Sequence, residues 1–166
     1  MGIKRLKKVF VITGAENSGK TRCVKEIARK FYESHYEYHD LMQTTYADFL
    51  NREPKKDMND DIVGYFTTPF DTIGILSAGD EENLILKMFD LLRNFQPDVI
   101  IIAIRDEFIQ DAVSKMSDIT IFDSTENNNL LKPAEDFLEK KDTESLLNIT
   151  AINKFVEEIK SAIRGF

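Results

Sequence analysis

The chain has 166 residues, 42% of them apolar and 31% charged, and its 29 Asp and Glu outweigh 22 Lys and Arg for a net charge of −7 at pH 7. That length builds one domain with a proper core and is short for two, and a net negative surface repels phosphate backbones and anionic lipid alike, so any anion site has to be local and neither nucleic acid nor membrane is an expected partner. A single Cys excludes an intramolecular disulfide, the apolar run before Gly14 is far too short for a signal-peptide core, and no run approaches a membrane span, so the expectation is one domain over residues 1–166 in the cytoplasm.

Lys4–Lys8 is a charged lead-in. Val9–Thr13 is almost continuously apolar, the pattern of a central parallel strand covered on both faces. It runs into Gly14-Ala15-Glu16-Asn17-Ser18-Gly19-Lys20-Thr21-Arg22, and a helical pattern begins at about Lys20. A strand that turns at once into a helix can aim its backbone N–H groups inward at an anion. Gly14 and Gly19 permit dihedrals a Cβ would forbid and let the backbone approach oxygen closely. The free amides of the first helical turn and the positive end of the helix dipole then hold a phosphate chain. Lys20 would reach the β- and γ-phosphates, and the Thr21 hydroxyl would ligate Mg²⁺.

This G-x-x-x-x-G-K-[ST] spacing, with a strand before it and a helix after it, resembles the Walker A motif of the P-loop NTPase superfamily. The resemblance rests on residues 9–21. It implies a bound nucleotide, ATP or another NTP, with Mg²⁺. Gly14, Ser18, Gly19, Lys20 and Thr21 become phosphate- and metal-binding positions, and Ala15, Glu16, Asn17 and Arg22 line the same loop and first turn.

Further along, Cys23, Val24, Ile27, Ala28 and Phe31 form one face of the first helix, with Arg22, Lys25, Glu26, Arg29 and Lys30 opposite. Cys23 therefore reads as packing rather than as a reactive thiol. His35 and His39 stand four residues apart, but the H-E-x-x-H pattern is absent, and they read as partly exposed histidines near a helix end. Asp40–Asp61 is ambiguous: Met42, Tyr46, Phe49 and Leu50 make a helical stripe, whereas Leu41–Tyr46 reads as a short strand. Arg52–Asp61 is a highly charged stretch that reads first as a solvated loop. In small kinases of the resembled superfamily this region carries an acceptor-binding insert or lid, a role open to Arg52, Lys55 and Lys56.

Ile62–Thr67 and Thr72–Ser77 are β-rich runs whose short link, Thr68–Asp71, makes an antiparallel hairpin with Ile62–Thr67 as the edge strand. Asp71-Thr72-Ile73-Gly74 spells D-x-x-G but precedes its strand, which makes it a chance match. Ser77-Ala78-Gly79-Asp80 ends the second run. Leu84, Ile85, Met88, Phe89, Leu92 and Phe95 give an amphipathic helix stopped by Pro97. Asp98–Ile104 is the most apolar strand and should be central, with Arg105-Asp106-Glu107 at its end. Ile109, Ala112, Val113 and Met116 suggest a short helix, Ile119–Phe122 a last core strand, Asp123–Asn129 a polar loop and Pro133–Lys141 a short helix. Ile152, Phe155, Val156, Ile159 and Ile163 mark the final helix.

Strands and helices alternate, which predicts an α/β three-layer sandwich around a mostly parallel sheet of about five strands, one of them an antiparallel edge strand. The strand C-termini share the rim that carries the Gly14–Thr21 loop. Two carboxylates on that rim compete for the Mg²⁺-supporting role that phosphoryl transfer needs. Asp80 follows the small Ser77-Ala78-Gly79 turn, and Asp106 follows the central strand with Arg105 between. Each also fits a helix cap. The Ser-Ala-Gly turn, which allows backbone near a phosphate, favours Asp80. This arrangement is also similar to that of small bacterial P-loop proteins of the kinase-like kind. Arg105 could counter phosphate charge in the transition state or pair with Asp106 or Asp80.

The expected activity is therefore Mg²⁺-dependent phosphoryl transfer from ATP to a small acceptor or to water, with Lys20, Asp80 and Arg105 as catalytic residues and Thr21, Asp80 and Asp106 as metal candidates. The alternative is a non-catalytic nucleotide-binding regulatory module. Guanine specificity lacks support, because the one Asn-Lys pair, Asn153-Lys154, lies within the last helix.

Overall fold

The computed structural model describes residues 8–14, 20–40, 62–77, 97–105, 129–141, 144–161 and 163. The apolar run after the basic lead-in forms β1 (Lys8–Gly14), and the 3.6-residue stripe forms α1 (Lys20–Glu33). After a turn in which His35 takes a φ of 67°, Glu37–Asp40 is β2, followed by β3 (Val63–Thr67), β4 (Thr72–Leu76), β5 (Val99–Arg105) and β6 (Asn129–Pro133). A 3-10 turn (Ala134–Phe137), the hairpin β7 (Leu138–Lys141) and β8 (Glu144–Leu147), and α2 (Ile149–Ser161) complete the described chain.

One six-stranded sheet has the order β2-β3-β4-β5-β1-β6, and β7–β8 form a separate two-stranded one. β4, β5, β1 and β6 run parallel, whereas β3 pairs antiparallel with both β4 and β2. The mostly parallel sheet is the expected one, and its outer edge on the β2 side is antiparallel as expected. The strand occupying that edge differs. Ile62–Thr67 pairs on both sides, and the edge belongs to Glu37–Asp40, a polar tetrapeptide with no strand-like apolar alternation. An edge strand can be this polar because only one of its flanks is paired and much of it meets water.

Phe10 and Ile12 of β1, Ile73 and Ile75 of β4, and Val99, Ile101 and Ala103 of β5 pack into one core with Val24, Ile27, Ala28 and Phe31 of α1 and with Ile152, Phe155 and Ile159 of α2. Phe10 meets Phe155 edge-on at 5.6 Å, and Phe31 lies 5.6 Å from Phe66. Each such fully buried ring contributes about 1.5–3 kcal/mol. The alternate residues Val11, Ile100, Ile102 and Ile104 point the other way and are buried as well. These strands are buried on both faces, which is why β1 and β5 read as unbroken apolar runs.

Other expectations are corrected. Of Pro133–Lys141, expected to be a short helix, only Ala134–Phe137 is helical, as a single 3-10 turn; Pro133 ends β6, and Leu138–Lys141 is β7. β6 begins at Asn129, at the end of a stretch expected to be a polar loop. Lys25 and Glu26, placed on the outer face of the first helix by periodicity, are buried, and Glu26 is paired with Arg29 at 2.8 Å. The histidines are at least partly exposed, as expected: His35 follows the end of α1, whereas His39 is further on in β2 and stacks on Tyr65 at 4.7 Å. The readings of Lys4–Lys7, Leu41–Asp61, Leu84–Phe95, Phe108–Met116, Ile119–Phe122 and Asp123–Asn128 lie outside the described residues.

Candidate functional site

Four parallel strands end on one rim, at Leu76, Arg105, Gly14 and Pro133. Register fixes their neighbours there: Gly14 stands opposite Arg105, and Thr13 stands between Ile104 and Pro133. β1 is thus flanked on both sides, and the loop it feeds opens at the interior of the sheet rather than at its edge. α1 then starts at Lys20 on this rim, so that its N-terminal amides and positive dipole end sit beside the strand ends.

Lys20 is only 3% exposed, and Thr21 and Arg22 are half-buried beside it. An anion at this spot would meet both the Lys20 side chain and the positive end of the α1 dipole. The Thr21 hydroxyl donates to the Ser77 carbonyl at 3.4 Å, bringing the end of β4 against the first turn of α1. β5 lies between β1 and β4, so this contact reaches past a neighbouring strand. Ser77 is 1% exposed, and it also holds Ile62: its N–H donates to the Ile62 carbonyl at 2.9 Å, and its Oγ accepts from the Ile62 N–H at 2.7 Å.

The edge of the sheet reaches the same rim. β2 runs parallel to β4, so that Asp40 at its end stands opposite Gly64 near the start of β3. The Tyr38 hydroxyl donates to the Asp40 carboxylate at 3.1 Å. Burial, with the Asp40 charge second, pushes the Tyr38 phenol well above its ordinary value and keeps it neutral and donating. Gly64 makes this packing possible, since a Cβ there would lie 2.5 Å from both the His39 carbonyl oxygen and the Tyr38 hydroxyl. The chain between Asp40 and Ile62 therefore leaves and rejoins the sheet at the rim where α1 begins.

Among the predicted site residues, Gly14, Lys20, Thr21, Arg22 and Arg105 come together on this rim. Ala15, Glu16, Asn17, Ser18, Gly19, Asp80 and Asp106 lie outside the described residues. Cys23 is buried in the core with its thiol pushed up to about 12 by desolvation, the state of a packing residue. Sequence reading gave Ser77 a part as the end of a strand and the start of the small turn before Asp80, and assigned its side chain none. Its one signal is a lone hydroxyl immediately after the apolar run Ile73–Leu76, a pattern with many structural explanations.

The donor set fits a magnesium-bound triphosphate: a buried cation, a hydroxyl at the first helical turn, and a glycine ending β1. A family model described as the ATPase family associated with various cellular activities (AAA) matches residues 10–165. No curated protein and no solved structure matches the chain.

Proposed function

Because the chain belongs to the AAA family of ATPases, and is thereby a P-loop NTPase that binds ATP, we propose that this rim carries Mg²⁺-dependent transfer of the γ-phosphoryl group to water or to a small acceptor. The observation that carries the reading is the pairing of buried Lys20 with a Thr21 hydroxyl set against the end of β4. Lys20 would neutralise charge on the β- and γ-phosphates, and the Gly14–Gly19 amides would orient them. Mg²⁺, held by Thr21 and by Asp80 or Asp106, supplies further charge neutralisation as the phosphoryl group departs. Asp80 is the better candidate, because Ser77, three residues before it in sequence, is the residue that meets Thr21. Arg105, opposite Gly14, brings a second cation to the loop and would stabilise charge that grows in the transition state.

The acceptor would enter over the rim between β2 and β3, where the Asp40–Asp61 segment is anchored. The same proposal has residues 1–166 acting as a single domain in the cytoplasm, in keeping with a lone, buried cysteine. Single-turnover ATP hydrolysis with and without Mg²⁺, run with and without a panel of small acceptors, tests the reading. Turnover should need Mg²⁺ and should collapse in Lys20→Ala and Asp80→Ala. Nucleotide binding with no turnover under any condition would favour a regulatory module instead and overturn the catalytic proposal.

A further inference from the structure

The last rung of the β3–β4 ladder is irregular in a way that involves the nucleotide site. Val63 pairs with Leu76, and one residue further out Ile62 faces Ser77. In a regular antiparallel rung of this kind, two residues exchange both N–H···O=C bonds. Here one half is regular, Ser77 N–H to the Ile62 carbonyl at 2.9 Å. In the other half the Ile62 N–H donates to the Ser77 hydroxyl oxygen at 2.7 Å, and the Ser77 carbonyl accepts from Thr21 instead. The serine side chain stands in for its own carbonyl. That substitution lets the carbonyl turn out of the sheet toward α1, and it is where β4 ends.

A hydroxyl has one proton to donate and two lone pairs to offer. In the contact with the Ser77 carbonyl the Thr21 hydroxyl is the donor, and a cation would be met through its lone pairs. A ligand oriented by a fixed partner behind it holds a cation more tightly, and removing such a partner commonly costs 10–100-fold in metal affinity. The 3.4 Å separation is long for O–H···O.

We propose that Ser77 is a positioning residue for the nucleotide-bound metal: its hydroxyl completes the last rung with Ile62 so that its carbonyl is available to orient the Thr21 hydroxyl. The proposal rests on the reading of this rim as a Mg²⁺–nucleotide site. It also makes Ser77 the physical link between the metal and the point where the chain from Asp40 rejoins the sheet, since the same residue grips Thr21 and Ile62.

Equilibrium binding of a fluorescent, non-hydrolysable ATP analogue, titrated with Mg²⁺, tests it without requiring turnover. Ser77→Ala should need about ten-fold more Mg²⁺ for half of the metal-induced tightening, with metal-free binding unchanged. Ser77→Thr and Ser77→Val add the same bulk and differ only in the hydroxyl, so Thr should keep the low Mg²⁺ requirement and Val should lose it, whatever the added methyl does to folding. In Thr21→Ala, the further change Ser77→Ala should add nothing, because Ser77 acts through Thr21. Equal titrations for the Thr and Val variants, or a full ten-fold additive effect in the Thr21→Ala background, would overturn the role of Ser77 while leaving the site intact. A parent protein whose analogue binding ignores Mg²⁺ would overturn the reading of the site and this inference with it.

Discussion

Lys20→Ala offers the most direct check on the phosphate cradle. Lys20 is 3% exposed at the first residue of α1, so little water is at hand to replace the ammonium group once it is removed. A charge-assisted hydrogen bond to a phosphate oxygen is worth about 1.5–3 kcal/mol, and losing one at the upper end weakens binding roughly a hundred-fold. With Mg²⁺–ATP held at about a hundred times the parent's Kd, binding stabilises the parent by about 2.7 kcal/mol. For a chain of this size that is a rise in Tm of roughly 5–11 °C. At the same concentration the variant would sit near its own Kd, gain about 0.4 kcal/mol and shift by about 1 °C. The assay is a pair of thermal melts for each protein, with and without Mg²⁺–ATP. Only the ligand-induced difference counts, which removes any effect of the substitution on the free protein. Equal shifts in parent and variant would refute the placement of Lys20 against the phosphates.

Three further predictions follow from particular contacts. Asp80→Ala should cut Mg²⁺-dependent turnover by about 10–100-fold while nucleotide still binds, and Asp106→Ala should do less; the reverse order in a side-by-side rate measurement would move the metal role to the end of β5. Gly64→Ala forces a Cβ to within 2.5 Å of the His39 carbonyl oxygen, and since backbone cannot yield as a flexible side chain can, it should cost about 1–3 kcal/mol in urea unfolding; a variant within about 0.5 kcal/mol of the parent would contradict the packing at the β2 edge. Burial raises the Cys23 thiol from 9.0 to about 12, so the folded value stands above the unfolded one: this stabilisation is complete below pH 9 and is lost as the pH rises toward 12. Unfolding free energies measured from neutral pH upward should decline above that point, and Cys23→Ala should flatten the decline without abolishing it, because the Tyr38 phenol is raised too; parallel profiles would show that the thiol carries none of it.

The strand before the glycine-lysine-threonine motif and the helix after it were legible because each is a contiguous stretch with its own period. β5 was legible for the same reason: a strand buried on both faces must be apolar at nearly every position, as Val99–Ile104 is. The stripe of α1 was read correctly on its inner face, yet Lys25 and Glu26 are buried as well. Periodicity identifies the most apolar face and does not show how far around the helix the packing extends.

The edge of the sheet, the start of β6 and the switch from 3-10 turn to strand after Pro133 were decided elsewhere. Glu37–Asp40 is a strand because β3 offers it hydrogen-bond partners, from Glu37 against Thr67 to Asp40 against Gly64, and Asn129–Pro133 is one because β1 does the same. Backbone pairing of that kind depends on residues far apart in sequence, so segments this short give little local sign of it. Ser77 shows the limit most clearly. By itself the chain determined its place among the P-loop NTPases and the apolar strands of the sheet, since those demand particular residues at fixed spacing. Which carbonyl meets Thr21 was settled only when β4 folded in beside β5, 56 residues along the chain from the loop, because a hydrogen bond is specified by position in space and many side chains could have ended that strand.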